Sequence, residues 1–392
     1  MISPTTYEGD GVSPDKPDVH DAIADQSAGL FPGAFCKIIE DTLTGDPDHV
    51  LVMHADGAGT KSTVAYIQYR ETGDPTVFRG IAQDSLVMNT DDLLCVGAGD
   101  NMVVSNTIGR NAHRIGGDAL KALIDGYAGF AQNMAPYGIM MTLAGGETAD
   151  LGDLTGTLVV DSTLVARMKR NAVINADNIR PGNVIVGLAS FGQAAYEAAP
   201  NSGIGSNGFT LARHALLAHR YAEDYPETVS TTLSPDKVYQ GPYELNDQLP
   251  GGDMEVGEAL LSPTRTYLPV VRRVLEAHGN DVTGIIHSSG GGQTKCAKFG
   301  QRGIHYIKDN LFVPPPIFGA IEAAANVSRR EMYRTFNMGS RLEIYCDPSA
   351  AEGVIAIAGG LGVGAQVIGR VEANPDGGNR VTISDDQGMY TY

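Results

Sequence analysis

The stretch His54-Ala55-Asp56-Gly57-Ala58-Gly59-Thr60-Lys61-Ser62 gathers a carboxylate, two glycines, a lysine and two hydroxyls directly after the apolar run Val50–Met53. These are residue types that handle a phosphorylated ligand. Gly57 and Gly59 let the main chain approach phosphate oxygens, Lys61 brings a point charge, Thr60 a hydroxyl, and Asp56 can hold a divalent cation that bridges to phosphate. It is not a Walker A loop, because Thr60 stands where that pattern requires a glycine before Lys-Ser. Taken alone, the segment fits either an anion cradle or a hairpin turn with an exposed lysine.

Three further groups carry chemistry. Asp84, Asp91 and Asp92 fall on a helix predicted from Gly80 to Val96. At about 100° per residue Asp84 and Asp91 lie within about 20° of each other and Asp92 about 80° from Asp84. The shared face suits either Mg²⁺ carrying a nucleotide triphosphate or plain solvation. Glu147, between Gly145-Gly146 and Thr148, follows the strand predicted at Ile139–Leu143; it reads as a metal ligand or hydroxyl acceptor, or as a loop cap, and Asp150 shares either reading. His287 closes the apolar strand Val282–His287 and precedes Ser288-Ser289-Gly290-Gly291-Gly292. Its ring is a candidate acid or base beside an anion-binding nest, or a structural histidine. Cys95 and Cys296 have no base in reach of the sequence pattern, so thiol nucleophilic chemistry is not expected.

The elements that must hold these residues alternate. The strand at Val50–Met53 enters the glycine-rich loop, and helices follow at 80–96 and 117–133. Strands are predicted at 139–143 and 157–167, and Asn171–Gly182 breaks the pattern as a domain boundary. The second half brings a strand at Val184–Ala189 and a helix from Phe209 capped by Ser206 or Asn207. A long loop over 221–257, a helix through Val270, Val271 and Leu275, and strands at 282–287, 342–346 and 367–371 complete it. The fold class is therefore α/β, an α+β mixture, organised as an arm at 1–35, a domain at 36–170 and a domain at 171–392.

Composition bounds the partners. A chain of 392 residues with 42% hydrophobic content is globular and long enough for two domains. A formal charge of -18 argues against sequence-independent nucleic-acid binding, which needs a cationic surface. The four cysteines form no C-x-x-C pair, which fits a reducing cytoplasm. No basic leader or long apolar run points to a membrane.

Together the segments resemble phosphoribosylformylglycinamidine cyclo-ligase, the aminoimidazole ribonucleotide synthetase family. Asp56–Lys61 is similar to its D-G-V-G-T-K, Asp92–Ala98 to N-D-L-x-x-x-G-A, Gly145–Ala149 to G-G-E-T-A, Ser206–Phe209 to S-N-G-Y and Leu261–Tyr267 to L-x-P-T-R-x-Y. Glu331–Gly339 is close to E-M-x-R-T-F-N-M-G, the most specific of the set. Looser forms occur in selenophosphate synthetase, thiamine-monophosphate kinase and HypE. The resemblance implies an N-terminal domain whose strands pair with a second subunit, a C-terminal α/β domain, ATP in the cleft, and a cytoplasmic homodimer. The implied reaction activates the amide-type oxygen of formylglycinamidine ribonucleotide with ATP and closes the imidazole ring.

The resemblance further implies site roles. Asp56, Asp84, Asp92 and Glu147 would hold Mg²⁺, joined around the nucleotide by Gly57, Gly59, Thr60, Lys61, Gly145 and Gly146. Lys61, Asp92 and His287 would be catalytic. Ser206, Asn207, Gly208, Thr264, Arg265, Ser289, Gly290 and Gly291 would orient the small-molecule substrate. The chain departs from the pattern where Gly205 replaces a histidine after an apparent insertion at Gln193–Gly205, where Gln293-Thr294-Lys295-Cys296 replaces a segment leading to E-N, and where Tyr7-Glu8-Gly9 replaces Tyr-Lys-Asp. Two other readings stay open: an ATP-dependent phosphotransferase of the wider superfamily, and a noncatalytic nucleotide-binding paralogue.

Overall fold

The computed structural model describes residues 17–392. Tyr7-Glu8-Gly9 and the rest of residues 1–16 of the expected arm lie outside the described residues; within that arm, Pro17–Ile23 forms helix α1. The first sheet holds β1 (Ile38–Glu40), β2 (His49–Gly57), β3 (Met102–Arg110), β4 (Met141–Asp150) and β5 (Leu158–Lys169), in the order β1-β2-β5-β3-β4. Only β3 and β4 run parallel. Helices α2 (Lys61–Thr72), α3 (Phe78–Leu94) and α4 (Gly117–Met134) accompany it.

The second sheet takes β6 (Val184–Ala189), β7 (Val282–His287), β8 (Ile304–Lys308), β9 (Ser340–Cys346), β10 (Ala365–Ala373), β11 (Arg380–Ser384) and β12 (Met389–Thr391), in the order β12-β11-β8-β10-β6-β9-β7. Its helices are α5 (Phe209–Leu216), α6 (Arg220–Asp224), α7 (Val256–Leu261), α8 (Leu268–His278), α9 (Pro316–Ala325), α10 (Arg329–Thr335) and α11 (Ala351–Gly359). Every residue of β9 is buried, as expected of a strand covered on both faces. Val186, Leu188 and Ile344 join one apolar core with α3, α8 and α11, while Ile185 and Tyr345 join another with α5 and α9. The first of these cores also contains the interior of the first sheet, so both sheets pack on common ground. No helix among the described residues is long and apolar enough to cross a membrane.

Several expected boundaries move, for physical reasons. β2 runs on through His54–Gly57, so Asp56 and Gly57 are strand residues and only Ala58–Thr60 turns. Helix α2 lacks a readable apolar stripe because Lys61, Ser62, Val64, Ala65, Tyr66 and Ile67 are all buried, which erases the 3.6-residue period. β3 was hidden by Ser105, Asn106 and Thr107. β4 continues through Gly145 and Gly146, with Gly145 at φ 92 beside a register shift against β3, so Glu147 stands in an edge strand and not in a loop. Neither Ser206 nor Asn207 caps α5; Gly208 does so at φ 74, where a Cβ would lie 2.4 Å from the Phe336 ring. The expected loop at 221–257 contains most of α6 and opens α7.

Candidate active site

Helix α3 carries the site because its aspartates face different partners. Toward its N-terminal half, Asp84 meets Lys61, the first residue of α2, and both are fully buried. The Lys61 Nζ donors go to Asp84 Oδ1 at 2.9 Å, Ser262 O at 2.5 Å and Gly205 O at 3.5 Å. Asp84 Oδ1 also accepts from Thr264 N at 2.7 Å and Thr264 Oγ1 at 2.5 Å. Burial lowers the pKa of Lys61 against the pull of Asp84. Thr60 Oγ1 lies 3.1 Å from Thr210 Oγ1, and Ser206 Oγ lies 3.0 Å from Thr264 Oγ1. Thr60, Lys61, Asp84, Ser206 and Thr264 are thus brought together, with half-buried Asn207 and with Gly208 following Ser206. They form a joint between the two halves of the chain, in which an ammonium with three donors has none left for a ligand.

About 12 Å farther along α3, at 1.5 Å per residue, Asp91 and Asp92 build a second cluster. Asp92 Oδ1 lies 2.5 Å from His287 Nδ1, and Asp92 Oδ2 lies 3.2 Å from His54 Nε2. His287 Nε2 is 2.5 Å from Arg341 Nη1, and Arg341 Nη2 donates to Asp91 Oδ2 at 2.8 Å and to the Arg265 carbonyl. A guanidinium only donates, so Nε2 is the unprotonated nitrogen and His287 gives its Nδ1 proton to Asp92. Burial and the Arg341 charge lower the His287 pKa, which agrees with a neutral ring. For Asp92, burial favours the neutral acid, but the hydrogen bond from His287 and the nearby charge of Lys295 prevail and hold its pKa low. Asp91 goes the other way: burial raises its pKa despite Arg341. Both nitrogens of His287 are engaged, so in this arrangement it positions Asp92 and has no free nitrogen for a substrate.

The loop after β7 completes this cluster. Gly291 at φ 95 and Gly292 at φ 50 turn the chain into a 3₁₀ segment, Gly292–Lys298. Beneath it Lys308 pairs with Glu343 and donates to Gln293 O at 2.7 Å, while Glu343 accepts from Ser288 Oγ at 3.3 Å. Cys36 Sγ donates to Asp92 O at 3.2 Å, attaching the segment before β1. All four cysteines are free and buried, and burial raises the thiol pKa of Cys95 and Cys296.

The remaining expected residues are spread out. Arg265 is 1% exposed and commits all five of its N–H groups, to Glu197 twice and to the carbonyls of Ala189, Phe191 and Gly192. It clasps the loop after β6, including the apparent insertion, and presents nothing to a ligand. Glu147 pairs in register with Thr107, Thr107 with Asp161, and Asp161 with Gly57. The pleat sends this row to the sheet face away from α3, whereas Asp56 opposes buried Ser162 on the other. The pKa of Asp161 is raised by burial and then by the charge of Asp56.

For Mg²⁺ the fit is selective. Among the described residues no three His, Cys, Asp or Glu side chains stand close enough to hold a metal. Asp84 and Asp91 are already neutralised by Lys61 and Arg341. Mg²⁺ that arrives with phosphate oxygens and waters needs only one or two carboxylates. Exposed Asp56 and Asp92, buried at 7% exposure, are the two that would meet that need. Sequence reasoning missed Arg341, two residues beyond the Phe336–Gly339 match, and Asp161. A cavity of about 810 Å³ lies elsewhere, between α3, α4 and residues 195–201.

Residues 36–168 match the model for AIR synthase related protein, N-terminal domain, and residues 180–381 match its C-terminal domain. The chain belongs to the AIR synthase related family. Curated relatives are named phosphoribosylformylglycinamidine cyclo-ligase. That of Methanocaldococcus jannaschii is 32% identical over 329 residues, 83% of this chain and 79% of the relative. That of Symbiobacterium thermophilum is 30% identical over 356 residues, 90% of this chain and 88% of the relative. Among solved structures, hydrogenase maturation protein HypE aligns with a TM-score of 0.53 at 13% identity, covering 90% of each chain. Phosphoribosylformylglycinamidine synthase II of Thermotoga maritima aligns with a TM-score of 0.51 at 12% identity, covering 98% of this chain and 52% of that one. These two likenesses establish the shared α/β fold.

Proposed function

We propose that this AIR synthase related protein closes the imidazole ring of formylglycinamidine ribonucleotide with ATP, giving 5-aminoimidazole ribonucleotide, ADP and phosphate. The observation that carries this is the likeness to cyclo-ligases at 30–32% identity over 83–90% of the chain. The geometry supports it: Asp92 is oriented by His287, and the Ser289–Gly291 turn follows the same strand end. Asp56 and Asp92 would hold Mg²⁺, which supplies charge neutralisation on a transferring phosphoryl group. The chain's own share is positioning. Holding the ring-closing nitrogen against its carbon can supply about 7–11 kcal/mol of the barrier.

The functional unit we infer is a homodimer working in the cytoplasm. On the first sheet, the outward row Met53, Val165, Val103 and Thr142 and the row Ala55, Thr163 and Ser105 are uncharged. Met53 is 60% and Val103 45% exposed, so a second copy would cover an apolar face.

The test is turnover of authentic substrate with ATP and Mg²⁺ by the purified protein, with restoration of growth to purine-requiring cells lacking the cyclo-ligase. ADP release without aminoimidazole ribonucleotide would instead indicate a phosphotransferase. Nucleotide binding without ADP release would indicate a noncatalytic paralogue.

A further inference from the structure

A chain of charge -18 needs a local cation wherever it receives an anion, and the cations buried around this site are already committed. Lys61 is paired with Asp84, Arg265 with Glu197, Arg341 with Asp91 and Lys308 with Glu343. Lys295 differs. Its Nζ donates to the neutral Ser289 Oγ at 2.6 Å and lies 4.5 Å from the centroid of the Phe35 ring, and among the described residues it forms no ion pair. Phe35 in turn stacks on Phe299 with centroids 4.9 Å apart, which fixes the lysine over the turn.

The turn itself is short of acceptors. Among the described residues the amides of Gly290 and Gly291 donate to no group, although Gly291 is buried. A Cβ built on Gly290 would meet nothing within 4 Å, and one on Gly291 would lie 3.6 Å from Lys295 Cβ. The amides, the Ser289 hydroxyl and the unspent Nζ donors therefore belong to one small surface that opens at Gly290. Such a set of donors around a cation matches the oxygens of a phosphate group. The Asp92 carboxylate would repel that group, which keeps it on the loop side.

We propose that Lys295 is the anion-recognising residue of the Ser289–Gly291 turn and binds a phosphate group, carried either by the ribonucleotide substrate or by the nucleotide. The identity of the carrier rests on the cyclo-ligase reading; the phosphate site does not. The experiment compares the full chain with Lys295→Met and Lys295→Arg, using calorimetry with inorganic phosphate and steady-state kinetics. Lys295→Met weakens phosphate binding, or raises one KM, by about tenfold or more with little change in kcat, and Lys295→Arg recovers most of the loss. A rise confined to formylglycinamidine ribonucleotide assigns the substrate's phosphate; one confined to ATP assigns the nucleotide's. Equal phosphate affinity and unchanged KM values in Lys295→Met overturn the proposal, as does a wild type that binds no phosphate and shares its KM values with the variant. Lys295-dependent phosphate binding in a protein without cyclo-ligase turnover sinks the functional reading and leaves the phosphate site standing. Melting temperatures without phosphate separate these outcomes from misfolding, with Lys295→Gln as the second variant.

Discussion

Lys61 shows how residue type and residue role separate. In the sequence it is the cation of a phosphate loop; in the fold its charge is spent on Asp84 and two carbonyls at zero exposure. Lys61→Met leaves Asp84 buried and uncompensated, which costs about 3–5 kcal/mol when one member of a buried pair is removed. The expected result is a large drop in melting temperature, partly recovered by Asp84→Asn in the same chain. A variant that melts like the wild type but no longer binds ATP would restore the phosphate role. Composition and spacing could not distinguish the two, since both use a lysine after a glycine loop. What decides is Ser262, Gly205 and Thr264, more than 140 residues away in sequence.

At the scale of elements, the turn after β7 invites a paired comparison. Gly290 has open space where a Cβ would go, so Gly290→Ala should leave the melting temperature unchanged and raise a KM by crowding the turn. Gly292 has φ 50, and its Cβ would lie 2.5 Å from Phe336 O and 2.6 Å from Tyr333 O. Gly292→Ala therefore forces backbone apart and should lower soluble yield and melting temperature sharply. Equal melting temperatures for the two variants would contradict this account of the turn. The strands β6 and β7 were readable to the residue because they are short apolar runs bounded by breakers. Helix α2 and strand β3 were not: burial on several sides removes the period of one, and an uncovered polar face removes the apolar character of the other. The Asp84–Asp92 helix was legible as an element, but its role as a strut was not, because Arg341 and His287 arrive from β9 and β7.

For the whole molecule, the uncovered face of the first sheet and the buried histidines each make a demand. Val103→Lys with Met53→Glu places charge on the outward row; the proposed homodimer predicts that sedimentation shows a dimer for the wild type and a monomer for the variant, and a dimer in both would locate the interface elsewhere. The pH dependence follows from His214 and His287. Burial, and then the charge of Arg213, lowers the His214 pKa to about 3, and its Nε2 has no partner. His287 is lowered by burial and Arg341. In the unfolded chain both rings take a proton below about pH 6.5, while the folded rings resist it. Their contribution to stability is therefore complete above about pH 6.5 and declines as pH falls, for His214 down to about 3. Each depressed histidine can withdraw about 1.4 kcal/mol per pH unit within its window. Asp92, with its lowered pKa, adds a further loss as pH falls below about 4, and Asp91, with its raised pKa, acts in the opposite sense. Denaturant unfolding at pH 7, 6 and 5 should show a stability loss of about 2 kcal/mol or more, already under way before any carboxylate in its ordinary range titrates. His214→Phe, which removes an unpartnered nitrogen along with the proton site, should flatten that slope by its share. A slope identical to the wild type would mean that His214 is not held neutral, and that the acid sensitivity of the fold originates in His287 and the carboxylates.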